Sequence, residues 1–459
     1  MPLSRREFVA TAVAAALSGR GAAARIPWLD PYREPAARLI GAALEDASAW
    51  NRLAELTDTF GHRLSGSRAL EDAIAWALRR MREDGLDKVR AEPVRVPRWV
   101  RGRESLEIVF PYPGELVMLG LGNSVGTPAE GLEGDLLIVS GYDELERRGR
   151  EAEGRIVLVN VPFTDYGATV TYRTSGPSRA ARAGAVACLV RSVGTDGLRT
   201  PHTGMLTYRR DAPQIPAAAL AVEDALRLER LAARGERVRL RLKMDAAMHG
   251  EADSANVVGE IVGRERPHEV VVVGGHFDSW DVGTGAIDDG GGCIVTWEAV
   301  RLMKALGLRP RRTVRVVLFT NEENGLRGGL AYRDAHRAEL VDHVMMLESD
   351  GGVFRPHGFG FTGNDSARAT VQSVATLLGG IQADAVGPSG GGADIGPSVQ
   401  AGQIPAMALD VDGTKYFLYH HTSADTVDKL DPGDVARCTA AIAVMSYTVA
   451  DLPERLGTS

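Results

Sequence analysis

The sequence has few cysteines, few lysines and no long apolar run, and each shortage excludes a class of protein. Of its 459 residues only 3 are cysteines, Cys188, Cys293 and Cys438. They are far apart and odd in number, so at least one cannot pair within the chain, and none has the paired spacing of a zinc or redox motif. A chain of this size needs no disulfide framework. We expect all three thiols to be buried as small hydrophobic groups.

A surplus of positive charge is also missing. The chain has 53 basic and 60 acidic side chains and a formal net charge of -7, and only 5 of the basic residues are lysines. The sequence contains no cluster of Lys and Arg that could contact a phosphate backbone. We therefore expect no nucleic acid partner.

No stretch of the sequence reaches the ~20 apolar residues of a membrane span, but the first residues form a shorter apolar segment. Residues 2–24 read PLSRREFVATAVAAALSGRGAAA. The Arg pair, the short apolar stretch and the small residues after it predict a cleaved export signal over 1–24, and SRREFV at 4–9 resembles the twin-arginine type. We therefore expect an exported protein, periplasmic or extracellular; an amphipathic first helix is the alternative.

The composition is that of a folded protein with more than one domain. Hydrophobic residues make up 44% and charged residues 25% of the chain, and the length suits two or three domains. Residues 128–245 differ from the rest, because short strands that begin at glycine occur there without the clustered His, Asp and Glu of the later chain. The sequence therefore predicts an insert at 128–245 that divides a main domain into 25–127 and 246–459.

Buried strands alternate with helices after residue 250. Three apolar runs, 269–273, 313–319 and 344–347, have the continuous hydrophobicity of strands covered on both faces. Helical spacing at 291–305 and 328–340 predicts parallel strands joined by right-handed crossovers. The main domain is thus predicted to be α/β, with a central mixed, largely parallel sheet flanked by helices, and the insert to be rich in β-strand.

Polar side chains follow each of these three strands at once. His276 and Asp278 follow the first run, Glu322 and Glu323 the second, and Asp350 the third. Ligands bind outside the carboxyl ends of strands in such sheets, so these residues are expected to converge on one crevice. A glycine-rich loop and a late pair of histidines supply further candidates: Asp288, His420 and His421.

The chemistry of these side chains favours a metal centre. Imidazole and carboxylate without thiolate suit Zn²⁺, with Mn²⁺ or Co²⁺ as possible substitutes. The candidates are more numerous than one tetrahedral ion can use, whereas two ions about 3.5–4 Å apart that share a carboxylate and a water would use them all. Solvated acidic residues at strand ends are the alternative, but it leaves their coincidence at several strand ends unexplained.

The motifs resemble those of a known enzyme family. The run HFDSWDVGTGAIDDGGG at 276–292 is similar to the metal-binding signature of the carboxypeptidase Q, or plasma glutamate carboxypeptidase, group of the two-zinc aminopeptidase-like exopeptidases. The resemblance continues through NEENG at 321–325, ESDGG at 348–352, GGGADI at 390–395 and HTSADT at 421–426. The insert resembles the protease-associated domain found in several of these enzymes.

The resemblance implies a role for each candidate metal ligand. One zinc takes His276 and Asp350, the other takes Glu323 and His421, and Asp288 bridges the two. The family pattern also makes the first glutamate of the pair at 322–323 the general base.

Neighbouring residues are expected to support this centre. The carboxylate of Asp278 should accept the second ring N–H of His276, and Asp425 should support His421 in the same way. Tyr416 is a candidate donor to the oxyanion of the reaction, and core packing is its alternative. His420 is expected to line the pocket or to pack beside it.

These roles predict a zinc-dependent exopeptidase that hydrolyses dipeptides or short peptides. A metal-bridged hydroxide is expected to attack the peptide carbonyl, with Glu322 taking the proton of the water and returning it to the leaving amine. The alternatives are an aminopeptidase of the same family, a glutaminyl-cyclase-like acyl transferase, which uses one zinc, and a non-catalytic binding scaffold. The complete set of five ligands argues against the last two. The resemblance also implies a homodimer.

Overall fold

A computed structural model describes residues 26–195 and 197–456 of the chain. The predicted export signal at 1–24 lies outside the described residues. Within them, no helix combines the length and the hydrophobicity that a membrane span requires.

The first part of the chain has three helices and a long strand. Each helix is amphipathic and buries its apolar stripe, and the Ser67 hydroxyl caps the third by accepting the N–H of Leu70. The elements are α1 (Asp30–Glu45), α2 (Ser48–Phe60), α3 (Arg68–Glu83) and β1 (Asp87–Val100).

The second part forms a sheet of its own, with helices on it. Its elements are β2 (Glu104–Phe110), β3 (Gly114–Leu116), β4 (Met118–Gly120), β5 (Leu132–Val139), α4 (Tyr142–Arg147), β6 (Ile156–Val159), α5 (Tyr166–Arg182), β7 (Ala187–Arg191), β8 (Ala217–Leu220), α6 (Val222–Ala233) and β9 (Arg239–Met244). The strand order is β3-β2-β9-β5-β6-β7-β8-β4. This second sheet takes strands from residues 104–120, before the predicted insert boundary at 128, and the division into domains stays a prediction.

The third part completes the first sheet. Its elements are β10 (Ala247–Ile261), β11 (Arg266–His276), α7 (Gly291–Ala305), β12 (Arg312–Phe319), α8 (Arg327–Ala335), β13 (His343–Glu348), β14 (Pro356–Thr362), α9 (Asp365–Ala375), β15 (Ala385–Gly387), α10 (Gly396–Gly402), β16 (Ala406–Val411), α11 (Tyr416–Tyr419) and α12 (Pro432–Asp451). The strand order is β1-β10-β12-β11-β13-β16-β14-β15.

The predicted fold class is confirmed. The four central strands β12, β11, β13 and β16 pair in parallel, whereas β1, β10 and β14 add antiparallel pairings. Both faces of these central strands are covered. One core places α2, α7 and α12 against the sheet and includes Trp297 and Val273, and the opposite core includes Val272 and Tyr332 of α8. The layers leave the carboxyl ends of the parallel strands as the edge where a site can form.

Candidate metal centre

Three neighbouring strands of the first sheet end at this edge. β11 ends at His276, β12 at Phe319 and β13 at Glu348. Because β11 pairs in parallel with both of the others, the residues that follow these ends lie side by side. The structure thus brings the three predicted strand-end groups together.

The first ligand group surrounds His276. Its Nε2 lies 3.0 Å from Oδ1 of Asp288 and 3.5 Å from Oδ1 of Asp350. His276 and Asp288 are buried and Asp350 is partly exposed. Their ligand atoms are close enough together to hold one metal ion.

The second ligand group surrounds His421. Its Nε2 lies 3.0 Å from Oε2 of Glu323 and 3.2 Å from Oδ2 of Asp288. All three residues are buried. Asp288 therefore belongs to both groups, and its two oxygens face different histidines.

The shared carboxylate is incomplete without a cation. Oδ2 of Asp288 is buried and has no hydrogen-bond donor among the described residues. A buried carboxylate oxygen without a donor is costly, and a metal ion removes that cost. Imidazole nitrogen and carboxylate oxygen are the ligands that zinc takes in catalytic sites, so the residues present fit zinc.

The electrostatics of the cluster favour positive charge. Burial raises the pKa of Asp288, but His276 and His421 outweigh it and hold the pKa well below its usual range. Burial lowers the pKa of each histidine, but the carboxylates around it raise that pKa well above the usual value. Burial raises the pKa of Glu323 to about 7 and that of Glu322 well above its usual value. The cluster thus holds protons that a divalent cation can replace.

Asp278 supports the site in another way than predicted. The ring Nδ1 of His276 lies 2.9 Å from the backbone carbonyl of Asp278, whereas the carboxylate is 3.9 Å away. The carboxylate instead accepts the N–H groups of Glu322 at 3.0 Å and Glu323 at 3.3 Å, and the hydroxyl of Ser65 at 3.1 Å. The prediction of a carboxylate partner for His276 was wrong, because the turn after β11 brings the carbonyl under the ring and directs the carboxylate to β12.

Asp425 also has another partner than the predicted one. Its carboxylate accepts the backbone N–H groups of Ala286 at 2.9 Å, Ile287 at 2.7 Å and Asp288 at 3.3 Å. These N–H groups point out of the irregular turn at Ala286–Gly290, and an acidic side chain satisfies them as an N-cap does. Asp425 therefore orients the shared ligand Asp288 rather than His421.

His420 and Tyr416 lie beside the ligands. The Nε2 of His420 is 3.5 Å from Oδ2 of Asp288, and its ring stacks on His421 with centroids 3.6 Å apart. His420 is thus close enough to Asp288 and His421 to share an ion with them, as well as to line the pocket. The Tyr416 ring lies 5.0 Å from that of His420, and burial next to Asp288 raises the pKa of its hydroxyl well above the usual value.

Arg63 is a supporting residue that no sequence motif had indicated. Its side chain is fully buried, and its guanidinium donates to the carbonyls of Phe277 at 2.9 Å, Thr284 at 2.8 Å and Gly285 at 2.9 Å. It also donates to the carbonyl of Gly61 at 3.0 Å. The loop between His276 and Asp288 is therefore fastened to a residue more than 200 positions earlier, a contact without any periodic signal.

Three further buried carboxylates adjoin the ligands. Asp289 accepts the N–H groups of His276 and Gly292, both at 3.1 Å, and Glu348 accepts that of Ile395 at 2.9 Å. Both oxygens of Asp394 are buried without a hydrogen-bond partner among the described residues. Burial raises the pKa of all three, to about 7 for Glu348. The sequence motif at 390–395 contains Asp394, but its spacing gave the residue no role.

Comparisons with known proteins agree with this geometry. The sequence model of peptidase family M28 matches residues 256–446, which include every predicted metal ligand. The chain is 47% identical to carboxypeptidase Q of Bos taurus and 46% identical to carboxypeptidase Q of Homo sapiens. Each of these similarities covers 89% of this chain and 86% of the relative.

Solved structures share the fold. A peptidase M28 precursor from Shewanella amazonensis superposes with a TM-score of 0.89 at 34% identity, over 93% of this chain and 98% of that chain. A zinc aminopeptidase from Bacillus subtilis superposes with a TM-score of 0.68 at 20% identity, over 89% of this chain and 96% of that chain. The first similarity includes the second sheet as well as the first, since it extends over almost the whole described chain.

Proposed function

The chain belongs to peptidase family M28, with carboxypeptidase Q proteins as full-length homologues, and we propose that it is a two-zinc exopeptidase that hydrolyses dipeptides or short peptides. One observation carries the number of ions: the two oxygens of Asp288 face two separate groups of ligands. A single ion would leave one of these groups without a partner.

The ligand groups divide as their distances suggest. His276 and Asp350 hold one zinc, His421 and Glu323 hold the other, and Asp288 joins them. When bound, the ions lower the pKa of a water and polarise the carbonyl of the scissile bond. Mn²⁺ or Co²⁺ could take the same nitrogen and oxygen ligands.

Glu322 acts as the proton carrier. Its backbone N–H is fixed by Asp278, while its neighbour Glu323 faces His421, so the two adjacent glutamates serve different tasks. Burial raises the pKa of Glu322 above its usual value, with Asp350 as a further cause, which suits a group that first accepts a proton from water and then donates it to the leaving amine. The Tyr416 hydroxyl is the proposed donor to the oxygen of the attacked carbonyl.

Metal analysis and a dipeptide panel test this proposal together. We expect two zinc ions per purified chain, cleavage of dipeptides, and loss of cleavage on chelation that added zinc restores. Glu322→Gln should keep both ions and lower kcat by about 10²–10⁴-fold, the usual contribution of general acid–base catalysis. Glu146→Gln, at an exposed position of α4, is the matched control. Unchanged turnover in Glu322→Gln, or fewer than two ions in the active protein, would contradict the proposal.

The direction of cleavage needs substrates with one blocked end. A dipeptidase or carboxypeptidase requires a free carboxyl group, so amidated peptides should be poor substrates and N-acetylated ones should be cleaved if only the C-terminus is read. Preference for free amines with indifference to amidation would identify the aminopeptidase alternative.

Export and dimerisation are parts of the same proposal. N-terminal sequencing of protein recovered outside the cytoplasm should begin just after residue 24. Light scattering should give a mass near twice the chain mass of 49.0 kDa if the chain forms a homodimer, less the cleaved signal.

A further inference from the structure

The second sheet reaches the metal centre through Thr203. This residue lies in the loop between β7 and β8, far along the sequence from the strands that precede the proposed ligands. Its backbone N–H donates to the carbonyl of His421 at 3.0 Å, and its own carbonyl lies 3.2 Å from the ring Nδ1 of His421. Thr203 and His421 are both buried. A main-chain segment of the second sheet thus makes two contacts with one proposed zinc ligand.

Two arginines contact Thr203, one at its carbonyl and the other at its hydroxyl. Arg173 of α5 donates to the carbonyl of Thr203 at 3.3 Å, and Arg101 lies 3.4 Å from its hydroxyl, which also donates to the carbonyl of Gly120 at 2.8 Å. Arg101 in turn pairs with Asp281, within the loop that runs from His276 to Asp288. We name Arg101, Arg173 and Thr203 the His421 clamp.

Arg173 is an unusual member of the clamp. It is only 5% exposed, yet no carboxylate among the described residues lies within ion-pair distance of its guanidinium. Its Nη1 is 3.4 Å from Nδ1 of His421, and its Nη2 donates to the hydroxyl of Tyr166 at 2.8 Å. Gly204 has a φ of +138°, and a Cβ there would lie 2.3 Å from the guanidinium carbon, so only glycine leaves room for this side chain.

A histidine ligand needs a partner for its second ring nitrogen. When a carbonyl accepts the Nδ1 proton, the tautomer is fixed and the lone pair of Nε2 points to the metal. The carbonyl of Thr203 is the acceptor for His421, and the carbonyl has a second lone pair for Arg173. The position of that carbonyl therefore decides the direction in which Nε2 faces Asp288 and Glu323.

We propose that the His421 clamp, which comes from the connection between β1 and β2, from α5 and from the loop between β7 and β8, is a set of positioning residues that keeps the second zinc position occupied. This inference rests on the two-zinc function proposed above. It gives the second sheet a task in the metal centre besides any contact with substrate. It also assigns Arg101 and Arg173, two buried cations outside the residues that the family model matches, to the holding of one ligand.

Zinc affinity separates this role from general stability. Zinc-loaded protein is titrated with a chromophoric chelator, and Arg173→Met is compared with wild type. We expect one of two zinc ions to bind about 10-fold more weakly, the usual loss when a partner of a metal ligand is removed, and the other to keep its affinity. Arg173→Lys, which keeps one donor for the Thr203 carbonyl, should recover part of the loss. Arg179→Met, exposed on the same helix, is the matched control.

The possible outcomes are distinct. Fewer than two ions in wild type would contradict the proposed function itself. Two ions of unchanged affinity in Arg173→Met would overturn the clamp, as would equal weakening of both ions together with a lower melting temperature of the metal-free protein. If Arg173→Met does not fold, Thr203→Val serves instead, since it removes the hydroxyl contacts but keeps the carbonyl, and the same selective loss is expected at smaller size.

Discussion

We expect the replacement of Arg63 by methionine to destabilise the loop between His276 and Asp288. Methionine keeps the length and the apolar stem of the side chain but removes its hydrogen bonds to four backbone carbonyls, those of Gly61, Phe277, Thr284 and Gly285. A buried acceptor that loses its donor costs on the order of 1 kcal/mol or more, so the group of four costs about 4 kcal/mol.

This loss of free energy of unfolding should appear as a measurable decrease in Tm. The described chain has an unfolding entropy of roughly 0.9 kcal/mol per kelvin if each residue contributes about 2.1 cal/mol per kelvin, so a loss of about 4 kcal/mol lowers Tm by about 4 °C. Because the loop carries His276 and Asp288, zinc should raise the Tm of the variant less than that of wild type.

Thermal unfolding with and without zinc measures both effects, and metal analysis follows the loss of ions. The control is Arg68→Met, whose side chain is 93% exposed and pairs with Asp72 within its own helix. A Tm of Arg63→Met within 1 °C of the Arg68→Met value, together with unchanged zinc stabilisation, would refute the view that Arg63 fastens the loop.

Three further predictions concern single side chains. Asp288→Asn should lower the zinc content at both positions, as measured by elemental analysis, because one carboxylate serves both ligand groups. His421→Gln should leave one zinc per chain, whereas His420→Gln should keep two if His420 only lines the pocket; the reverse result would exchange their roles. Burial lowers the pKa of His343 to about 4 from an ordinary 6.5, so the folded protein binds fewer protons there than the unfolded chain. Stability should therefore fall between pH 6.5 and 4, by about 3 kcal/mol for this group, and His343→Gln should reduce that slope in urea unfolding at several pH values.

Three of the five proposed metal ligands were indicated by their position after apolar runs. A run such as 269–273 predicts a strand buried on both faces, and residues after parallel strands must meet at one edge. The place of these residues at the sheet edge follows without knowing where each side chain points. The apolar runs therefore indicated His276, Glu323 and Asp350, whereas Asp288 and His421 were candidates because of a glycine-rich loop and a late pair of histidines.

Contacts set by turn geometry were beyond this reasoning. Asp278 was expected to bind His276 through its carboxylate, and Asp425 was expected to support His421, but in both cases the turn directs the carboxylate to backbone N–H groups. Sequence spacing states which residues are near each other and not which atom of each faces the other. Arg63 and Thr203 were missed for a related reason, since contacts across more than 200 residues have no local pattern.

The helix α5, which packs on the second sheet, contains two residues that are unusual inside helices. α5 runs from Tyr166 to Arg182 and contains Gly176 and Pro177. Both residues disfavour helix interiors in isolation. Their close packing in the core of the second sheet outweighs that preference, as the burial of Pro177 shows.

The contact between Thr203 and His421 joins residues 218 positions apart, and this separation sets an order of events during synthesis. His276, Asp288 and Asp350 leave the ribosome well before His421, so a nascent chain can gather one ligand group while the other is still incomplete. Pairing across so long a segment is slow to form compared with local structure. Under the two-zinc proposal, the second zinc can bind only after His421 has been synthesised, and a product truncated before residue 421 would lack that member of the second ligand group.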